Sequence, residues 1–481
     1  MTKNYFLTIL ALCLIVNSPA NAQITFQKTY GGSGYDLGTC IQQTLDQGYI
    51  IAGITGSFGA GNHDVYLVRT NNTGDTLWTK TYGGSASDGG VYVQQTTDGG
   101  YIIAGTTKSF GAGNTDIYLI RTNNTGDTIW TKTYGGPLED YPGSVQQTND
   151  GGFIIVGSTA SFGSGNFDVY IIKTNSLGVT LWTKTYGGIN WDYGSFVQQT
   201  NDGGYIITGH TNSFGAGSYD FYLIKTNISG DTLWTKTIGG VNDENSYCVK
   251  QTSDGGYIIV GMTGIFQTLI FDVYLVKTNA AGAILWTKTY GGNDYDCGNS
   301  VQQTLDGGFI LAGQTRSFGA GNGDVYLIKT NNSGDTVWTK TYGGADDDKG
   351  LSVRQTLDGG FIMTGQTYSF GTANSEVFLI KTDADGYSSP LGVNNLLIQN
   401  LELKAYPNPF STYTTIEYKN FKTVQLKLTL YNTFGKAVRQ IEHISNRQIR
   451  LERNGLENGI YILKLYCDDA IFGSGKVLII R

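Results

Sequence analysis

Proline and histidine are nearly missing from this chain, with 6 Pro and 3 His in 481 residues. The histidines, His63, His210 and His443, stand far apart and in no His-Glu-x-x-His setting, so neither a zinc-protease motif nor a His-based triad can be assembled from them. After a cysteine in the leader, Cys40, Cys248, Cys297 and Cys467 are scattered without the spacing of a disulfide framework or a zinc site. Beyond the first residues no apolar run approaches the roughly 20 residues of a membrane-spanning helix. Positive charge is short as well. The formal charge is -7, and twelve Lys and Arg against seven Asp and Glu from Leu401 onward leave the rest of the chain at -12. An acidic body of this kind argues against nucleic acid as a partner.

What is plentiful is glycine (69), tyrosine (32) and phenylalanine (21), a composition that favours short strands joined by tight turns. Tryptophan recurs at Trp78, Trp130, Trp182, Trp234, Trp286 and Trp338, always 52 residues apart. One unit reads Val91 to Thr96, Asp98-Gly99-Gly100, Tyr101-Ile102-Ile103-Ala104-Gly105, Ser109-Phe110-Gly111, Asp116 to Arg121, Asn123 to Asp127, then Trp130-Thr131-Lys132-Thr133-Tyr134-Gly135-Gly136. Asp-Gly and Thr-Gly-Asp supply the positive-φ turn positions that hairpins need, so each unit predicts four strands. A four-stranded unit that is apolar on both faces can bury them only against its neighbours, which is the signature of a β-propeller. Seven first strands are expected, beginning near Thr39, Val91, Gly143, Ser195, Tyr247, Asn299 and Leu351.

The seventh unit lacks a fourth strand, since Pro390 stands where the next Trp belongs. At the other end, residues 24–32 form an orphan fourth strand with Phe26 in the Trp register, so the N-terminal strand is expected to complete the last blade and leave no open edge. Thr73-Gly74-Asp75-Thr76-Leu77-Trp78 resembles the tryptophan-docking segment of quinoprotein-like propeller repeats. The Trp-Thr-Lys-Thr-Tyr-Gly-Gly run is similar to repeats common in exported bacterial propellers. The resemblance brings no quinone or metal ligands with it.

Two further segments speak of export. Met1-Thr2-Lys3, an apolar run over 5–16 and Ala20-Asn21-Ala22 read as a signal peptide, with the mature protein starting near Gln23. At the C-terminus, Tyr406-Pro407-Asn408-Pro409, residues 430–436, Asn458-Gly459-Ile460-Tyr461 and Gly475-Lys476-Val477 occur in the order that resembles the C-terminal sorting domain of the type IX secretion system. That family implies an immunoglobulin-like β-sandwich, handling by the type IX machinery, and a Gram-negative cell with the product outside it or on its surface. The expected organisation is therefore signal peptide 1–22, seven-bladed propeller 23–387, linker 388–400 and sorting domain 401–481.

Any ligand site should lie where the repeat breaks its own pattern. After each Gly-Gly the residues differ from blade to blade, and the loops there share one face of the propeller. On that face Trp191, Phe167, Tyr219, Phe271, Tyr35 and Tyr295, with Glu139 and Asp243 beside them, would suit sugar rings: apolar ring faces stack on aromatics while carboxylates accept hydroxyl hydrogen bonds. The plain alternative is aromatics packing loop against loop. The opposite face, with near-identical turns, reads as scaffold.

A second constellation is an acid opening each first strand, Asp36, Asp88, Asp140, Asp192, Glu244, Asp296 and Asp348. Seven carboxylates around the channel could hold calcium, which takes several oxygens. Against that, each acid could accept N–H bonds in its own turn. The recurrent Arg69, Arg121, Lys173, Lys225, Lys277, Lys329 and Lys381 read as scaffold cations set across from acids. The reading that follows is an exported, non-catalytic propeller that binds or scaffolds at the cell surface with glycan or protein as ligand. The alternative is a glycan-active hydrolase or lyase using carboxylates of the variable face.

Overall fold

The computed structural model describes residues 23–371, 374–389, 401–417, 426–433, 436–444, 448–467 and 470–481. The expected leader, 1–22, lies outside the described residues, as do 390–400 of the expected linker and part of the 430–436 motif. No helix is long and apolar enough to cross a membrane among the described residues. The chain divides into two compact units, Met1–Leu391 and Gly392–Arg481.

Among the described residues the first unit contains seven four-stranded antiparallel sheets, a β-propeller repeat. Burial explains the composition of each strand. Second strands such as Tyr101–Thr107 and third strands such as Asp116–Thr122 are buried along almost their whole length, because a neighbouring sheet covers each face. Fourth strands such as Thr128–Tyr134 are mostly exposed, which is where Thr and Lys alternate with Trp. The turn glycines Gly99 (φ +86) and Gly126 (φ +79) take the left-handed conformation that the tight connections demand.

First strands pack edge to edge in a closed cycle running from Asp36–Gln43 through Asp348–Gln355 and back. They begin about three residues earlier than the sequence pattern suggests. Six of the seven open on the acid itself, and the fifth, Asp243–Gln251, opens one residue before it. The displaced start has a physical cause. Each first strand carries a β-bulge, in the first sheet between Gly38 and Cys40, so the extra residue (Thr39 there) breaks the alternation that pattern reading relies on.

The sheet of Asp348–Gln355, Phe361–Thr367 and Glu376–Thr382 takes its fourth strand from Phe26–Tyr30. Phe26 pairs with Lys381 as Trp78 pairs with Arg69. Gln23 accepts from the Ala384 N–H at 3.0 Å, and Ser388 Oγ donates to Phe26 O at 3.0 Å. Between sheets, the fourth-strand aromatic of one meets the second-strand aromatic of the next edge-on: Trp78 with Tyr101 at 6.0 Å and Phe26 with Tyr49 at 6.2 Å. Tyr82 Oη adds a hydrogen bond to Gly126 O at 2.6 Å.

The recurrent cations sit where acids face them. Lys173 Nζ lies 2.9 Å from Asp150 and Lys277 Nζ 2.8 Å from Asp254, each lysine side chain buried beneath the first hairpin turn. Lys80 of a fourth strand reaches Asp127 of the next sheet at 2.9 Å. In the second unit a five-stranded sheet and a three-stranded sheet share one apolar cluster that includes Phe410, Ile416, Leu428, Leu463 and Val477.

Candidate functional site

On the variable face, in six of the seven places, the residue before a third-strand acid bridges in parallel to the residue before the next first-strand acid, and in the remaining one Glu244 N donates to Tyr219 O at 2.8 Å. Phe167 pairs so with Trp191, Phe271 with Tyr295, and Tyr35 with Ser375. This bridge sets four side-chain columns side by side around the face. In sheets three and four those columns hold six aromatic rings, with Glu139 and Ser158 the two exceptions.

Phe167 stacks on Trp191 (5.3 Å, 26°) and on Tyr193 (5.5 Å, 24°), and Trp191 lies 6.0 Å from Tyr193 at 24°. Tyr141 joins from one side at 5.9 Å from Phe167. His210 joins from the other, 4.9 Å from Tyr193, and Tyr219 closes the row at 5.4 Å from His210. The near-parallel rings of Phe167, Trp191 and Tyr193 make a shelf, whose outer rings Trp191 and Tyr141 are 38% and 36% exposed. Phe167 is buried beneath them. Burial holds the His210 imidazole down to about 4, so it is neutral and adds no charge to the shelf. The tyrosine hydroxyls stay protonated, with burial pushing Tyr193 up to about 12.

The shelf gathers Trp191, Phe167 and Tyr219 and leaves the other aromatic candidates apart. Phe271 meets only Tyr295 (5.8 Å) among rings of the described residues, and Tyr35 meets His63 (5.8 Å). Glu139 is half-buried beside Tyr141 and raises its hydroxyl, after burial, by its charge. Asp243 is buried, and its carboxylate accepts the Phe266 N–H at 3.0 Å. Tyr141, Tyr193 and His210 escaped the sequence reading. Their columns, Leu37-Gly89-Tyr141-Tyr193-Asn245-Cys297-Lys349 and Ile54-Thr106-Ser158-His210-Met262-Gln314-Gln366, are as variable as those that were read.

The seven first-strand acids are turn braces in this structure. Asp36 Oδ2 accepts from Gly32 N at 2.9 Å and from Ser57 Oγ at 2.6 Å. Asp88, Asp140, Asp192, Asp296 and Asp348 repeat the pattern. The fifth sheet solves the same problem differently. Ile265 replaces the serine, and the longer Glu244 reaches Gly240 N (3.0 Å) while taking the Thr263 hydroxyl (2.6 Å). Apart from Asp36, each acid faces the third-strand acid of the sheet before it across the first glycine of Gly-Gly. A Cβ on Gly83 would sit 2.1 Å from Asp64 Oδ1 and 2.7 Å from Asp88 Oδ2. Burial, and behind it the facing carboxylate, raises Asp168, Asp272 and Asp324. Among the described residues no three His, Cys, Asp or Glu side chains form a group that could hold a metal.

In the second unit Asn408 links the Tyr-Pro-Asn-Pro segment to the last strand, donating to Lys476 O (2.9 Å) and accepting from Leu478 N (2.8 Å). Pro407 O takes the Thr414 hydroxyl, Pro409 leads to the buried Phe410, and Tyr406 is exposed. Tyr461 Oη donates to Glu457 O, Gly459 has φ +155, and a Cβ on Gly475 would press on Leu403.

Residues 404–480 match the family described as the secretion system C-terminal sorting domain. That domain marks proteins exported by type IX secretion to the cell surface or the extracellular space, which is where this chain is sent. No curated protein matches the chain. Among solved structures it is similar to a fungal alcohol oxidase of the AA5 family in complex with copper (10% identity, 95% of this chain and 98% of that one, TM-score 0.45). It is also similar to the Pan2 WD40 domain of Neurospora crassa (10%, 76% and 98%, TM-score 0.45) and to Sqt1 of Chaetomium thermophilum (9%, 76% and 87%, TM-score 0.44).

Proposed function

We propose that the seven sheets are the blades of one propeller latched by Phe26–Tyr30, and that outside the cell it acts as a non-catalytic module binding glycan on the shelf of sheets three and four. The second unit, read as an immunoglobulin-like sandwich, is the part the type IX machinery handles. The observation that carries the reading is the near-parallel set of Phe167, Trp191 and Tyr193 with Trp191 and Tyr141 open to solvent. Loop-against-loop packing would bury its largest ring, whereas a sugar-binding shelf leaves it open. Two or three such contacts give weak affinity that several sugar units along a polymer multiply.

A hydrolase would need two carboxylates about 5 to 9.5 Å apart across one cleft. The blade-specific acids Glu139 and Asp243 enter sheets two apart, and Asp243 is already occupied by the Phe266 N–H. Incubation of the mature protein with a panel of soluble polysaccharides separates the readings. Retention without new reducing ends supports the binding module, and release of reducing ends replaces it with the hydrolase.

A further inference from the structure

The face that reads as plain scaffold holds a cavity of about 400 Å³ on the axis of the first strands. The polar part of its wall comes mainly from one repeat position, the first glutamine of Val-Gln-Gln-Thr, set among Val93, Val145, Val197, Leu45 and Leu357. Gln42, Gln94, Gln146 and Gln198 line it, and at the same position the fifth and seventh sheets place Lys250 and Arg354.

The glutamines are oriented by their neighbours. The Oε1 atoms of Gln42, Gln94, Gln146 and Gln198 accept the backbone N–H of Gln95, Gln147, Gln199 and Gln251 at 2.6 to 2.9 Å. A backbone N–H can only donate, so the carboxamide oxygen is fixed on it and the NH₂ is the free end. None of these four Nε2 atoms has a hydrogen bond among the described residues. The wall therefore offers donors: four amides, one ammonium and one guanidinium.

Neither cation has a carboxylate partner among the described residues. Lys250 Nζ lies over the Phe196 ring at 4.2 Å. Arg354 donates to Val353 O (2.7 Å) and Tyr92 Oη (3.3 Å), and Tyr92 packs on Phe196 at 5.6 Å to floor the cavity. Every third-strand cation of the repeat, by contrast, has its aspartate. Burial, with the nearby guanidinium adding to it, lowers Lys250 to about 8. Placing Lys and Arg here also forfeits structure, since neither can accept the N–H of the next sheet as glutamine does. A like-charged, unpaired couple that gives up an inter-sheet hydrogen bond calls for an anion.

We propose that this axial cavity is a binding site for a small polyhydroxylated oxyanion, a sugar-sized body bearing one carboxylate or phosphate group. Lys250 and Arg354 hold the charged group, with Arg354 giving geometric selection for an oxyanion. The glutamine NH₂ groups donate to the hydroxyl oxygens, and the volume fits one such ring. The site is on the opposite face from the aromatic shelf and stands or falls independently of it.

The test titrates the full mature protein with glucuronate, glucose 6-phosphate, inorganic phosphate and glucose, by calorimetry and thermal shift. The comparison is the double variant K250Q/R354Q, which restores the repeat's own residue at both positions. Expected is binding of glucuronate or glucose 6-phosphate at least ten-fold tighter than glucose, lost at least ten-fold in the variant, whose unliganded melting temperature is unchanged or higher. Inorganic phosphate binding as tightly as the sugar phosphate would show the charged group alone to be recognised and overturn the sugar-sized ligand. Equal affinity of variant and wild type, equal affinity for glucose, or no binding of any probe would overturn the site itself.

Discussion

Phe26 stands opposite Lys381 across the strand pairing that completes the last sheet, in the register where Trp78 stands opposite Arg69. A residue near the start of the described chain thus does the work of the missing seventh tryptophan. Phe26 is 3% exposed and edges onto Tyr49 of the first sheet, so Phe26→Ala should cost about 3–5 kcal/mol. Phe26→Trp, matching the other sheets, should cost less than about 1.5 kcal/mol. Chemical denaturation of the two variants checks this, and an unshifted Phe26→Ala midpoint would mean that the first strand does not latch the ring.

The second glycine of Gly-Gly gives a contrast within one repeat. A Cβ on Gly84 would lie 2.7 Å from the Ser109 Cβ, whereas one on Gly240 meets nothing within 4 Å, in the sheet whose second and third strands run on to Ile265 and Ile270 where the others turn earlier. Gly84→Ala should therefore destabilise by about 1–3 kcal/mol. Gly240→Ala should stay within about 0.5 kcal/mol of wild type. Equal melting shifts would contradict the packing described at these turns.

Acid should unfold the protein through the hairpin aspartates. Lys28, Thr73 and Asn71 hold Asp75 down to about 2 by hydrogen bonding. At Asp306 burial pulls upward, but Lys329 and Thr304 outweigh it and leave that carboxyl at about 2 as well. Both folded values lie below the ordinary 3.8, so these groups stabilise the fold above that pH and lose the contribution as pH falls from about 4 to 2. Asp168, Asp272 and Asp324 are shifted the other way, so as pH falls through the ordinary carboxylate range they gain stability and partly offset the loss at the hairpin aspartates. The melting temperature should drop steeply over that interval, and Asp306→Asn should make the drop shallower.

The repeat made most of this architecture readable, because a 52-residue period forces each unit to share its neighbours' environment. The orphan strand at Phe26 was legible for the same reason, as the one fourth strand without a first. Strand starts were less so, since the bulge at Thr39 and its equivalents breaks the alternation that reveals a strand. The site was legible only in part. Trp191, Phe167 and Tyr219 stood out as large residues in variable loops, but Tyr141 and Tyr193 sit one residue past the acid, inside a strand, where aromatics are unremarked. Lys250 and Arg354 were hidden in a run that looks invariant, Val-Gln-Gln-Thr, although each replaces its glutamine. Which face a column lines, and that residues from the fifth and seventh sheets meet at one axis, is tertiary information that spacing does not contain.

The proposed function rests on the shelf, and Trp191 is its most exposed ring. The direct measurement is the affinity of wild-type protein, Trp191→Ala and Tyr193→Ala for the polysaccharide best retained from the panel, by calorimetry at matched folded fraction. Removal of either ring should weaken binding at least ten-fold, about 1.4 kcal/mol or more, while the melting temperature of Trp191→Ala stays within a few degrees of wild type. Undiminished affinity in both variants, or no polysaccharide retained by the wild type, would contradict the proposed function.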